Sequence, residues 1–462
     1  LQQLFEIIQR ITGMDLRVYF SSGHARSVKT KRNILASVIL KAIGLGTSFL
    51  LFPLTIDYLG KTDNGIWLTL FSIITLYGFF EFGLGNGLRN RFAEARAKDD
   101  HELARTYVST AYAIITILVV VFYVLFLGVF PYIDWIAIFN APPGMMEELQ
   151  SLTIIVFTYF SLQFILRLTS MILLADQRPA ISNGLNTIGS VLVLLVIFIL
   201  NKTTEGSLIY MGITVCAVNI IVRLIASFWF FGRDYRQYVP SLKYVKFSYG
   251  KDLMGLGLQF FVMQFAGIIV FSTDNFIVAQ IIGPGAVTTY NTAFKFFSII
   301  TVLFSTLTVP LWSAYTEAFA KKDFDWIRNV TKKFIRLWLA LVVITLMMLA
   351  ASSLFYGFWV GDEIQVPFIL SVFMAIFVLM RTWSDIFYYF IYGASKIKVS
   401  LYVSIFASVV NIPLSIYFAR NWELGIAGVT LATCVSILPD IFMAPLQYRM
   451  IINKTARGIW NQ

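Results

Sequence analysis

Charge is what this sequence has least of. Only 13% of its 462 residues are Asp, Glu, Lys or Arg, against 58% hydrophobic, and the mean hydropathy is +0.76. Soluble domains carry about 25% charged and about 45–50% apolar residues. A chain of this length could bury a large core, but it lacks the polar exterior a soluble enzyme needs, so its solvent must be lipid. Histidine and cysteine are nearly missing too: His24, His101, Cys216 and Cys434 are the whole set. A zinc site takes three or four closely spaced ligands, and no such spacing is present. Cys–His or Ser–His catalysis is excluded on the same ground. The two cysteines are far apart and sit inside apolar runs, so they read as buried free thiols rather than a disulfide framework. No metal or organic cofactor is expected.

What the chain does have is apolar runs of about 20 residues, the length that spans a bilayer as a helix. Twelve are predicted, at 34–58, 65–86, 106–130, 151–174, 181–200, 207–231, 253–282, 286–312, 337–358, 367–391, 399–419 and 426–448. The connections are short and leave no room for a catalytic domain. The longest outer loop, 131–150, offers Asp134, Glu147 and Glu148 with no Lys, Arg or His, a poor basis for a glycan polymerase or ligase. The segments facing one side of the membrane hold 28 of the 36 Lys and Arg, the other side holds only Lys61, Lys202 and Arg420, and five lie inside spans. Positive residues stay in the cytoplasm, so both termini are expected there. The net charge of +11 then reflects topology and contact with anionic lipid, not nucleic-acid binding. Leu1, Leu4, Ile8 and Ile11 recur at helical spacing among Gln2, Gln3, Glu6 and Arg10, which reads as an amphipathic helix on the inner leaflet. The expected organisation is a cytoplasmic segment at 1–32, a six-helix bundle at 33–231, a cytoplasmic linker at 232–252, a second six-helix bundle at 253–450 and a cytoplasmic tail at 451–462.

The two halves repeat. A shift of 223 superimposes Glu94 on Glu317, Ala95 on Ala318, Ala97 on Ala320, Lys98 on Lys321, Asp100 on Asp323 and Arg105 on Arg328, with Glu102 over Asp325. The same shift places Gly60 on Gly283, each just past a span. Amphipathic cytoplasmic loops resemble one another in general, but this many matches at one offset favour duplication. Six spans per half give both copies the same orientation, the layout of transporters with a substrate site between two parallel bundles.

Ionisable residues inside spans cost about 2.5–3.5 kcal/mol each on insertion scales and usually face a cavity or a partner. The cations are Lys41, Arg167, Arg223, Lys295 and Arg381; acids in or near spans include Asp57, Glu81, Asp274, Asp385 and Asp440. Lys41, Arg167 and Arg223 each lie seven or eight residues from an inner helix end, roughly 10–12 Å deep at 1.5 Å per residue. Glu81 is the one clear acid in that half. Three cations at one depth suit a phosphate or pyrophosphate headgroup; snorkelling to the interface is the plainer account of each residue alone. In the second half, Asp274 and Lys295 flank the tight turn Gly283-Pro284-Gly285 and are expected to pair. Arg381 and Asp385, four apart, share a helix face and are expected to pair as well. Such pairs are structural, or they supply a carboxylate that takes a proton when its cation engages substrate.

Phe52-Pro53-Leu54-Thr55-Ile56-Asp57-Tyr58-Leu59-Gly60 leading to Gly65-Ile66-Trp67, Phe82-Gly83-Leu84-Gly85-Asn86-Gly87 with Arg89 to Arg91, and Thr273-Asp274-Asn275-Phe276-Ile277-Val278 through Gly283 to Tyr290 resemble the MOP superfamily. Within it, the chain is similar to the polysaccharide-transporter branch of Wzx-type flippases over about residues 33–450. The resemblance implies an all-α polytopic protein of about twelve transmembrane helices in two six-helix bundles, MATE-like and V-shaped, working by alternating access in the bacterial inner membrane. It implies transfer of an undecaprenyl-diphosphate-linked oligosaccharide to the outer leaflet for surface polysaccharide such as O-antigen, in contact with membrane lipid and with possible coupling to a proton or sodium gradient. Lys41, Arg167, Arg223, Lys295 and Arg381 are then the candidate substrate-binding residues. Glu81, Asp274 and Asp385 are candidates for coupling, and Arg89 and Arg91 for a cytoplasmic gate. A MATE-like drug or metabolite antiporter is the alternative on the same fold.

Overall fold

The computed structural model describes residues 25–77, 84–176, 178–253, 273–308, 311–394 and 396–461. Its regular structure there is helical. The first half contains α1 (Ala25–Tyr77), α2 (Leu84–Ala97), α3 (His101–Val129), α4 (Trp135–Phe139), α5 (Met146–Ala175), α6 (Pro179–Thr203) and α7 (Leu208–Gly232). The second contains α8 (273–281), α9 (Pro284–Thr308), α10 (Leu311–Ala320), α11 (Phe324–Val360), α12 (Phe368–Gly393), α13 (Lys398–Arg420), α14 (Ile426–Ser436) and α15 (Leu438–Ile452). Among the described residues, ten stretches are long and apolar enough to cross a membrane.

That number and the twelve expected spans reconcile at two places. The spans expected at 34–58 and 65–86 are joined in α1, interrupted only at Gly60 (φ 75°, ψ 172°). Glycine takes this left-handed conformation without a Cβ clash, so one residue breaks the helix where a loop was expected. The run expected at 253–282 falls largely outside the described residues, which resume at the start of α8.

The chain divides into two compact units, one covering Ala25–Phe265 and the other continuing from Ala266 to the C-terminus. The segment 232–252, expected as a cytoplasmic linker, belongs with the following residue Leu253 to the first unit and packs on it. Tyr235, Tyr238 and Leu253 are buried in one apolar cluster with Leu84, Leu88 and Phe92 of α2. A Cβ on Gly87 would lie 1.9 Å from the Leu253 carbonyl oxygen, so only glycine permits this approach. At the other end of this unit, Gly206 is as close to α1: its Cβ would lie 2.1 Å from the Tyr58 carbonyl oxygen.

The repeat is visible in the backbone. Asp99 and Lys322, 223 residues apart, have φ of 55° and 58°. The next residue in each copy caps the following helix: Asp100 accepts from the Leu103 amide at 2.9 Å, and Asp323 accepts from the Trp326 amide at 3.1 Å. These caps satisfy amide groups that a helix start otherwise leaves unpaired. Phe92 and Tyr315, also related by 223, are both fully buried. Gly60 and Gly283, matched at that offset, both have positive φ.

Candidate functional site

In the first unit, α6 and α7 run consecutively and close upon each other at Gly189. A Cβ there would stand 2.5 Å from Asn219 Oδ1. One turn further along α7 is Arg223, and one turn back along α6 is Asn186, so the antiparallel register sets them opposite each other. Arg223 Nη2 donates to Asn186 Oδ1 at 2.9 Å. Arg167, on α5, is near enough to repel the Arg223 charge, and the Tyr159 phenol of the same helix also lies within its reach. Arg167 is exposed, Arg223 half-buried and Tyr159 buried. Thr187, next to Asn186, donates through Oγ1 to the Leu40 carbonyl at 3.0 Å. The backbone of Lys41 therefore lies at the level of this group. The Lys41 side chain and the whole of Glu81 lie outside the described residues.

The second unit holds its ionisable residues differently. Asp274 of α8 is 1% exposed. Its Oδ2 accepts from Tyr290 Oη at 2.7 Å and from Thr433 Oγ1 at 3.1 Å, and Asn411 Nδ2 donates to Thr433 at 3.0 Å. Asp274 Oδ1, Asn411 Oδ1, Ser415 Oγ and Thr430 Oγ1 are buried without a hydrogen-bond partner. Ser415 is one turn from Asn411 on α13, and Thr430 one turn from Thr433 on α14. The expected pairing of Asp274 with Lys295 is not formed; Tyr290 takes the carboxylate instead. The reason is helical phase. Lys295 is five residues beyond Tyr290 on α9, about 140° around the helix, so the two cannot face α8 together. The expected pair on α12 is present, with Arg381 Nε 3.4 Å from Asp385 Oδ1. Beside it, Tyr388 donates to Asp440 of α15 and stacks on Tyr392, ring centroids 5.4 Å apart.

On α2, Arg89 is exposed, while Arg91 and Lys98 bond Glu94 at 2.9 and 3.1 Å. Lys98 first and Arg91 second hold the Glu94 carboxyl below its ordinary range. A neighbouring network has no counterpart in the sequence reading. Asp176 pairs with Arg96, lies 3.0 Å from Arg178 Nε and accepts from Tyr235 Oη at 2.9 Å; Arg178 also pairs with Asp234. Burial, with the Asp176 charge second, pushes the Tyr235 phenol up. His101 Nδ1 and Tyr238 Oη, 2.7 Å apart, join α3 to the same segment. Asn186, Asn411 and Thr433 also escaped the sequence reading, being neutral. Their signal was available: amides and hydroxyls inside spans at the level of the charged residues. No group of three His, Cys, Asp or Glu positioned to hold a metal ion occurs among the described residues.

Comparison with known proteins agrees with this architecture. Residues 30–314 match the polysaccharide biosynthesis protein family, and residues 260–417 match the MatE family. A putative O-antigen export protein of Yersinia pseudotuberculosis is 22% identical, covering 90% of this chain and 95% of its own length. A putative O-antigen transporter of Salmonella typhimurium is also 22% identical, covering 91% and 96%. An inward-facing multidrug resistance MATE family transporter of the MOP superfamily superimposes with a TM-score of 0.74 at 14% identity, over 91% of this chain and 98% of that one. A MOP superfamily transporter from Pyrococcus furiosus, described as having a binding pocket of reverse polarity, gives 0.63 at 17% identity, over 98% and 99%. The structural likenesses show the MATE fold. The family match covers more than half of the chain, which is a multi-pass membrane protein belonging to the polysaccharide biosynthesis protein family.

Proposed function

We propose that this protein moves a polyprenyl-diphosphate-linked oligosaccharide from the inner to the outer leaflet of a bacterial cytoplasmic membrane, with both termini in the cytoplasm. The observation that carries the reading is the Arg167–Arg223 group. Two guanidiniums on packed helices lie within electrostatic reach of each other, and Arg223 is held by a neutral amide. Guanidinium geometry matches phosphate oxygens, and the low-dielectric surroundings strengthen that attraction. The names of the two O-antigen relatives support a surface-glycan cargo. In this reading the diphosphate docks on Arg167, Arg223 and Lys41 while the polyprenyl tail stays in lipid. Lys295 and Arg381 contact the headgroup later in the cycle, and Arg89 and Arg91 guard the cytoplasmic side.

Coupling is assigned to the second unit. Asp274 is buried among hydroxyls and an amide, with no cation bonded to its carboxylate. A bare carboxylate there is unfavourable, so a proton or a small cation from solution neutralises it during transport. Asp385 is the second candidate, and Glu81 a third. The drug-antiporter alternative keeps the same coupling site and drops the anionic cargo.

The test is a double substitution, Arg167→Ala with Arg223→Ala, in a strain that depends on this protein for surface glycan. Loss of the long-chain polysaccharide ladder, with undiminished protein in the membrane, is expected. An intact ladder refutes the reading, and efflux of cationic dyes would then favour the antiporter.

A further inference from the structure

We infer that Asn186 is a specificity-determining residue of the anion site in the first unit: it fixes Arg223 without cancelling its charge and presents its own amide donor to the same anion. This deepens the flippase reading and rests on it.

The orientation of Asn186 follows from its partner. A guanidinium only donates hydrogen bonds, so the atom facing Arg223 Nη2 at 2.9 Å must be the amide oxygen. The Nδ2 group, two N–H donors, then points away from Arg223, and the side chain is accessible. An accessible amide and a half-exposed guanidinium are unfavourable against lipid, so they face a polar space. Arg223 keeps its remaining N–H groups, and Arg167 adds a second positive charge within electrostatic reach. Among the described residues no carboxylate forms an ion pair with Arg223.

The second unit shows what the alternative looks like. There the membrane-embedded Arg381 is held by a carboxylate, Asp385, and the pair is close to neutral. Aspartate and asparagine have nearly the same shape, so at position 186 the amide makes the difference in charge alone. With a carboxylate in its place, Arg223 would be neutralised and an incoming diphosphate would meet a like charge. With the amide, the geometry is retained and the positive charge remains for the ligand. The same choice disfavours cationic solutes, which gain nothing from a donor amide beside two guanidiniums.

The full-length protein in nanodiscs is titrated with farnesyl diphosphate as probe, comparing the wild type, Asn186→Ala and Asn186→Asp. The wild type is expected to bind. Asn186→Asp should weaken binding by at least about tenfold, the scale of a like charge placed against an anion. Asn186→Ala, which leaves the charge unchanged, should weaken it less than Asn186→Asp does. Lowering the pH until the introduced carboxyl is protonated should restore binding to Asn186→Asp relative to wild type at the same pH, which a misfolded variant would not do. Asn186→Asp binding as tightly as wild type at neutral pH overturns the inference and leaves the flippase reading standing. So does a loss that acid does not relieve. A wild type that binds no prenyl diphosphate refutes the flippase reading itself.

Discussion

The two units bury their charges by opposite means. In the first, a guanidinium leans on an amide and a second guanidinium stands near it. In the second, a guanidinium is matched by a carboxylate, and another carboxylate is wrapped in hydroxyls. The first arrangement gives Arg223 a neutral partner, with no carboxylate paired to it among the described residues, and the second surrounds the Asp274 carboxyl with neutral groups. In the proposed reading, the first unit accepts an anionic headgroup and the second a proton or small cation, so that cargo and driving ion would bind different helices.

Three experiments sharpen or break this contrast. The largest effect belongs to Asp274→Asn, which keeps an acceptor for Tyr290 and Thr433 but removes the charge. Ion-gradient-driven transport in proteoliposomes should fall by about tenfold or more, within the usual range of site-to-site coupling, while binding of farnesyl diphosphate stays within about twofold. An unchanged response to the gradient would move the coupling role away from Asp274. Next is the α12 pair. Arg381→Ala strands a mostly buried carboxylate and should lower stability by about 1–3 kcal/mol, less than a fully buried pair because Arg381 is partly exposed. The double variant Arg381→Ala with Asp385→Asn should recover much of that loss. A thermal-unfolding double-mutant cycle measures the coupling, and additive effects would mean that the pair is not a structural unit. The smallest effect is expected from Asp176→Asn, just beyond the end of a span. Losing the anion shared by Arg96, Arg178 and Tyr235 should cost about 1–2 kcal/mol, as both arginines are partly solvated. Limited proteolysis between residues 233 and 250 should then accelerate; an unchanged cleavage rate would show that apolar packing alone holds this segment.

The sequence displayed the spans, the repeat and the Arg381–Asp385 pair because each follows from a period: length in lipid, an offset of 223, four residues on one helix. It did not display what depends on rotation between helices. Asp274 and Lys295 were at matching depth, yet depth says nothing of azimuth, and Tyr290 holds the facing position. The break at Gly60 looked like a loop because Lys61-Thr62-Asp63-Asn64 is polar, although a single glycine torsion is enough. Asn186 was overlooked because a search for charges passes over the neutral residue that leaves a charge available.

The twin turns at Asp99 and Lys322 show what the fold asks of this corner. A left-handed conformation costs a residue other than glycine about 1–2 kcal/mol, and here one copy uses an acid and the other a base. The side chains carry opposite charge, and the torsion angle is nearly the same. What the two corners have in common is a bend in the path of the chain, and the amino acids are its replaceable tenants.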